Sequence, residues 1–326
     1  MAKGTVRALI TGIAGFVGRH LARYLANIDG VEIFGVDQFG IPAVSSELGL
    51  GSRLQVVQAN LADGKRVREI VEIARPDWIF HLAAQAFVPT AFADPAGTLA
   101  NNIVGQVNLL EAVLALRIEP VIMVVGSNEE YGMVRPDELP IRETAPFRPA
   151  NPYAVSKITQ DMLGYQYHIA HGLPIVRVRP FNHLGPGQSE RFVASDFAKQ
   201  IAEIERGVRA PVIHVGNLEA ERDFTDVRDI VRAYHLAVTV GHPGDVYNLG
   251  SGRAASIQHI LDLLLAQARA SIKVERDPAR YRPVDIPRIV ADCSKFRDLT
   301  GWHAEIPLEQ TLSDTLAWWR EKVRSI

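Results

Sequence analysis

The stretch TGIAGFVG, residues 11–18, decides how this chain is read. Gly12, Gly15 and Gly18 give a G-x-x-G-x-x-G spacing. The apolar run VRALITG (6–12) leads into it, and Leu21, Tyr24, Leu25 and Ile28 then recur at helical spacing. Glycines allow a tight turn and let the backbone approach a pyrophosphate, which sits at the positive end of the following helix. Ile13, Ala14, Phe16 and Val17 fill the rest of the loop and are expected to help hold a dinucleotide. Glycine-rich turns are common; the strand before and the helix after carry the reading.

Further apolar runs follow at VEIFGVD (31–37), LQVVQA (54–59), DWIFHLAA (77–84), PVIMVVGS (120–127) and IVRVRPFN (175–182). They are nearly continuous rather than alternating, as in parallel strands covered on both faces. Helical patterns lie between them: Val67, Ile70, Val71 and Ala74 in one, and residues 98–116 in a longer one. This order predicts an α/β fold, a Rossmann-type doubly wound parallel sheet with right-handed crossovers. After residue 182 the pattern loosens into segments rich in Pro, Arg and aromatics, while TDVRDIVRAYHLAV (225–238) and VYNLGS (246–251) read as a helix and strand that return to the sheet. The expected division is 1–182 with 224–252 for the dinucleotide, and 183–223 with 253–326 as a smaller, interleaved α/β substrate domain.

Composition narrows the function classes. The chain has 326 residues, 47% hydrophobic and 22% charged, with a net charge of -2. That is globular and offers no basic field for nucleic acid. Cys293 is the one cysteine, which excludes an intrachain disulfide and suits a reducing compartment. No apolar run approaches bilayer-spanning length, and MAKGTVRALITG lacks a signal peptide's apolar core, so a soluble cytoplasmic protein without a membrane partner is expected. His168 and His171 share a helix face with no carboxylate or cysteine beside them, and no metal is expected.

In NPYAVSK (151–157), Asn151 suits an N-cap, Pro152 the first helical position, and Gly172 a C-terminal stop. Tyr153 and Lys157 then stand i,i+4 on one helix face. The lysine's charge would favour the phenolate and lower the tyrosine's pKa, making an acid–base group. Asp37 ends the second strand, where an acid accepts hydrogen bonds from ribose hydroxyls and repels a 2′-phosphate. Gln38 and Phe39 follow it rather than arginine, so NAD(H) is expected over NADP(H), with Arg19 the one nearby cation that could soften the preference. Asn60 is placed for the adenine edge or for capping its own loop.

TGIAGFVG, HLAA (81–84), Asn102 in NNIVG, Ser127 in GSNEEYG, and YAVSK together resemble the extended short-chain dehydrogenase/reductases that act on nucleotide sugars. The resemblance runs over nearly the whole chain. RPFNHLGPGQSERFVASDFAKQI (179–201), VGNLEAERDFTDVRD (215–229) and RYRPVDIPRIVADCSK (280–295) are similar to the branch holding GDP-mannose 4,6-dehydratases and GDP-4-keto-6-deoxymannose reductases, with FNHLGPGQS nearer the reductases.

The resemblance implies Tyr153 as proton donor or acceptor at a sugar oxygen, Ser127 bonded to the same oxygen, and Lys157 holding the nicotinamide ribose. It adds Leu61, Leu82, Ala83, Ala84 and Asn102 to the cofactor site. For substrate it implies Gln85, Asn128, Glu129, Asn182, Phe192, Val193, Lys199, Asn217 and Asp285, with His183 and Arg191 as neighbours. Arg222 and Arg282 are the candidates for the diphosphate, since guanidinium forks match phosphate oxygens. The implied reaction is reduction of GDP-4-keto-6-deoxy-D-mannose to GDP-D-rhamnose. The alternative is a 4,6-dehydratase or related epimerase, with Glu129 removing the sugar C5 proton rather than positioning substrate. A homodimer through helices 98–116 and 152–171 is also implied.

Overall fold

The structure is a computed structural model describing residues 5–39, 41–281 and 286–324. In chain order the strands begin β1 (Val6–Thr11), β2 (Val31–Asp37), β3 (Leu54–Gln58), β4 (Trp78–His81), β5 (Val121–Val125) and β6 (Ile175–Pro180). They continue β7 (Asn182–Leu184), β8 (Val212–Val215), β9 (Glu221–Asp226), β10 (Val246–Leu249), β11 (Ala254–Ser256), β12 (Lys273–Arg276) and β13 (Arg288–Ile289). Seven of them form one sheet in the order β10-β6-β5-β4-β1-β2-β3, and every pairing in it is parallel. The chain starts in the middle, winds outward to one edge, then returns and winds to the other. This is the doubly wound arrangement expected from the βαβ order, and its crevice lies beyond the strand ends where the winding reverses.

Burial explains the apolar runs. All six residues of β6 are buried, and the last four of β1, whereas the edge strand β3 is only half covered. The covering helices are α1 (Phe16–Ala26), α2 (Ile41–Leu48), α3 (Gly64–Ala74), α4 (Val88–Ala93), α5 (Pro95–Leu116), α6 (Pro152–His171), α7 (Val193–Glu205) and α8 (Val227–Thr239). On one face, α1 and α8 bury Leu21, Leu25, Ile230 and Tyr234 against the sheet. On the other, α3, α5 and α6 bury Val67, Val71, Leu109, Val113 and Tyr167. A separate core forms where α7, α9 (Ile257–Leu265) and α11 (Leu308–Arg324) pack Phe197, Ile201, Leu261 and Leu316 together; α10 (Ser294–Thr300) lies against β10 instead.

Helix punctuation follows local chemistry. The Asn151 side chain accepts the Ala154 N–H at 2.8 Å, and Gly172 ends α6 at φ 70. α5 starts three residues before its expected position because Asp94 caps it, accepting the Gly97 N–H at 2.9 Å. α1 closes at Ala26, short of Ile28. The central strands end earlier than their apolar runs do. β4 ends at His81; the Leu82 N–H makes a last backbone bond to the Thr11 carbonyl at 3.2 Å, and the Ala83 N–H turns to the Thr11 hydroxyl at 3.1 Å. One expectation is corrected: the 22-residue α5 is, by length and composition, apolar enough to cross a membrane. It packs between α3 and α6 and carries the buried polar side chains Asn102 and Gln106.

Candidate active site

The glycine loop is held by close backbone packing. Gly12 has φ +73, and a Cβ on Gly18 would lie 2.4 Å from the Gly12 carbonyl and 2.7 Å from the Ile13 Cα. The third glycine therefore lets α1 rest directly on the turn. Gly15 is the helix N-cap and has no side chain to satisfy the first-turn N–H groups, which suits an anion at that end. A cleft of about 610 Å³ opens there, lined by Gly12, Ala14, Gly15, Asp37, Gln38, Asn60, Leu61, Leu82, Ala83, Ala84 and Gln85. The donor-rich helix end, the glycine turn and the apolar walls fit a dinucleotide.

Other residues assigned to the cofactor support this cleft instead. Ile13 is fully buried, and Phe16 stacks on His183 at 6.3 Å between ring centres. Val17 packs against the α1/α8 core, and Gly18 is buried under the turn. Asn102 is fully buried; it accepts the Gln85 N–H at 2.7 Å and donates to the Ser156 hydroxyl at 2.9 Å, which in turn donates to the Tyr153 carbonyl at 2.7 Å. It ties the cleft wall to the start of α6. Asn60 caps its own loop, accepting the Ala62 N–H at 2.9 Å. Asp37 accepts three backbone N–H bonds, from Ala14 at 3.0 Å, Gln38 at 2.8 Å and Phe39 at 3.3 Å.

Ser127 follows β5 and caps a short turn. Its hydroxyl accepts the Glu129 N–H at 3.2 Å, while its own N–H donates to Glu130 Oε1 at 2.7 Å. Opposite, α6 presents Tyr153 and Lys157, both buried. Burial pushes the Tyr153 phenol well above its ordinary range; a hydrogen bond from Ser127 opposes this, and the charges of Glu129 and Glu130 add to it. This corrects the expectation that Lys157 lowers the phenol's pKa. Lys157 is itself pushed down to about 8 by burial, with Glu130 working the other way, and its Nζ donates to the Val125 carbonyl at 2.8 Å. The tyrosine is thus kept protonated, ready to give a proton.

Glu129 Oε2 accepts from the Asn151 amide at 2.9 Å, so this carboxylate is tied to the cap of α6. Sequence reasoning missed its neighbour. Glu130 is fully buried and is pushed up to about 8 by burial and by Asp161, with Arg179 opposing. Arg179 lies 3.1 Å from Glu130 and 2.8 Å from Asp161, and Arg177 is 2.6 Å from Asp161. The signal was present: two arginines in the buried run VRVRP demand carboxylate partners.

A second cleft, of about 700 Å³, is lined by Asn182, His183, Arg191, Phe192, Val193, Asn217 and Arg222. It adjoins the first along residues 85–87, where Gln85 faces one cleft, Phe87 the other, and Gln85 Oε1 accepts the Phe87 N–H at 2.6 Å. Asn128 donates to Asn182 at 3.2 Å, linking the serine turn to this cleft. Arg222 Nη1 donates to the Ile286 carbonyl at 2.6 Å, which fixes the guanidinium. Arg280 and Tyr281, which the motifs did not single out, also line it. Lys199 is not among its lining residues, a correction to its substrate role: it pairs with Glu190 at 3.2 Å and lines a third cavity, with Trp319 of α11, that meets the second cleft at Gln188 and Glu190 and the first at Ala14 and Arg19. Arg282 and Asp285 lie outside the described residues.

The chain matches the family described as GDP-mannose 4,6 dehydratase over residues 9–315. It is 36% identical over 320 residues to GDP-6-deoxy-D-mannose reductase of Pseudomonas aeruginosa, covering 98% of this chain and 99% of that one. To GDP-mannose 4,6 dehydratase 2 of Arabidopsis thaliana it is 29% identical, covering 93% and 84%. Among solved structures, one described as RMD from Pseudomonas aeruginosa complexed with NADPH aligns at TM-score 0.85 and 33% identity, covering 97% of this chain and 100% of that one. That bound cofactor overturns the expectation of NAD(H) over NADP(H). Asp37 spends its carboxylate oxygens on three backbone N–H donors rather than holding them free for ribose hydroxyls.

Proposed function

This chain belongs to the GDP-mannose 4,6 dehydratase family, and we propose that within it the chain reduces the C4 ketone of GDP-4-keto-6-deoxy-D-mannose, giving GDP-D-rhamnose, with NADPH as reductant. The full-length similarity to a GDP-6-deoxy-D-mannose reductase carries this reading. NADPH, when bound, supplies the hydride. The Ser127 hydroxyl and the Tyr153 phenol hold the C4 oxygen, and Tyr153 passes its proton to that oxygen as charge develops there. Lys157 holds the nicotinamide ribose from the same helix. In the second cleft Arg222 meets the diphosphate, while Asn182 orients the sugar. Segments 183–223 and 253–326 supply this substrate side, and 1–182 with 224–252 the cofactor side.

Glu129, bonded to Asn151, acts in this reading as a positioning carboxylate. The second reading, a 4,6-dehydratase, makes the same group the base at C5. Absorbance at the reduced-nicotinamide band decides between them. With GDP-4-keto-6-deoxy-D-mannose, one NADPH is expected to be consumed per product formed. A 4-keto product from GDP-mannose alone, with no net cofactor consumed, would establish the dehydratase instead.

A cytoplasmic homodimer accompanies this reading. Val104 on α5 and Val155, Met162, Tyr165 and Ile169 on α6 are exposed apolar side chains on two adjacent helices. A second copy would cover them. Sedimentation at micromolar concentration should give twice the chain mass; the monomer mass would refute the dimer.

A further inference from the structure

We propose that Arg19 reads the 2′-phosphate of the dinucleotide, releasing Glu47 to do so; the inference rests on the NADPH reading above. Arg19 is the only cation among the described residues lining the first cleft, where Asp37 and Asp94 are acids. Its Nε donates to the Ala14 carbonyl at 3.0 Å, which folds the side chain back over the glycine loop. Asp37 accepts the N–H of the same Ala14 at 3.0 Å. Arginine and aspartate therefore grip one loop residue from its two sides.

That placement sets the electrostatics of the ribose end. With the pyrophosphate at the N-terminus of α1, the adenosine ribose comes to the acid ending the second strand. A 2′-phosphate there meets Asp37, and two like charges need a cation between them. Asp37 is engaged with three backbone donors and can stay in place. Arg19 is the available counter-charge, and its guanidinium fork matches phosphate oxygens.

Glu47 makes the exchange reversible. It pairs with both Arg19 and Arg23, the latter at 3.1 Å. When Arg19 turns to a phosphate, Arg23 still neutralises Glu47. The side chains of Arg19 and Glu47 are 29% and 40% exposed, and pairs at such positions are weak. A dianionic phosphate therefore outcompetes Glu47, whereas a bare ribose hydroxyl does not.

The test is calorimetric titration of the whole protein with 2′,5′-ADP and with 5′-AMP, which need no turnover. The native protein should bind the 2′-phosphorylated compound about tenfold tighter or better. Arg19→Ala should bring the two affinities within about threefold of each other, the ratio being read independently of any change in 5′-AMP binding through the glycine loop, and Arg19→Lys should keep part of the preference. Glu47→Gln should widen it severalfold. Full preference retained in Arg19→Ala would overturn the assignment while leaving the NADPH reading intact. Equal affinities in the native protein would overturn both. Should Arg19→Ala fail to fold, Glu47→Gln decides: an unchanged preference there rejects the exchange.

Discussion

The Lys157 ammonium donates to the Val125 carbonyl at 2.8 Å and stands 6.0 Å from the centre of the Tyr153 ring. The lysine is anchored to the end of β5 and not to the phenol. Both groups are buried in a wall of the sheet, so each is pushed towards its neutral form: the phenol up, the ammonium down to about 8. A protonated acid beside an easily deprotonated amine is a pair suited to giving a proton and recovering one.

Lys157 is predicted to work against the stability of the protein without ligands. The unfolded chain keeps this proton up to its ordinary pKa of 10.5, while the folded chain releases it near 8. The penalty is complete below pH 8 and disappears as pH rises towards 10.5, so stability rises across that window. Lys157→Met should raise the unfolding free energy at pH 7 by about 1–3 kcal/mol while abolishing reduction. Urea unfolding at pH 7 and pH 10 measures it; a less stable variant at pH 7 would contradict the burial argument.

Tyr153→Phe removes one hydroxyl from a ring that stays buried. Reduction should fall about a hundred- to ten-thousandfold, with the melting temperature little changed. Fluorescence titration should show NADPH still binding. A variant retaining a tenth of the native rate would mean that another group supplies the proton.

Asp161 is paired with Arg177 at 2.6 Å and Arg179 at 2.8 Å, and none of the three is more than 7% exposed in its side chain. Asp161→Asn leaves two buried guanidinium groups, Arg179 still 3.1 Å from Glu130 and Arg177 still donating to the Gly244 carbonyl. The expected loss is about 3–5 kcal/mol in urea unfolding. Asp314→Asn is the contrast: it pairs with Arg228 at 2.7 Å, with side chains 28% and 39% exposed, and should lose no more than about 1 kcal/mol. Equal losses would show that burial does not set the strength of these pairs.

Gly18→Ala tests the glycine loop. Its methyl would meet backbone atoms of Gly12 and Ile13 that have no room to yield. The variant should lose about 1–3 kcal/mol of stability from overpacking. Calorimetry should also show at least tenfold weaker binding of 5′-AMP, because α1 lifts from the turn. Unchanged binding would mean that the helix can shift without disturbing the cleft.

The fold was readable because its signals are local. Continuous apolar strands, the glycine spacing before α1 and the Asn-Pro start and Gly172 stop of α6 each act within a few residues of themselves. The strand ends were overread for a related reason. Apolar composition continues past residue 81, but only the turn of the backbone into the cleft ends the ladder. Gly12, Ala14, Gly15, Asp37, Gln38, Asn60, Leu61 and Leu82 to Ala84, singled out from the sequence, come together along the first cleft, while Ile13 is buried beneath it.

By itself, then, the sequence determined the winding of the sheet, the glycine loop and the helix that carries Tyr153 and Lys157, since propensity, capping and periodicity depend only on neighbours along the chain. The tertiary structure alone decided what those residues can do. It buried Tyr153 far enough to override its i,i+4 lysine, and turned Lys199 away from the second cleft. It also set Glu130 and Asp161 against Arg179 from three distant segments. Asp37 shows the same limit, because its meaning depends on three N–H groups and on where Arg19 lies. Desolvation and charge pairing are long-range quantities: they depend on which atoms surround a group in space, and spacing along the chain does not specify that.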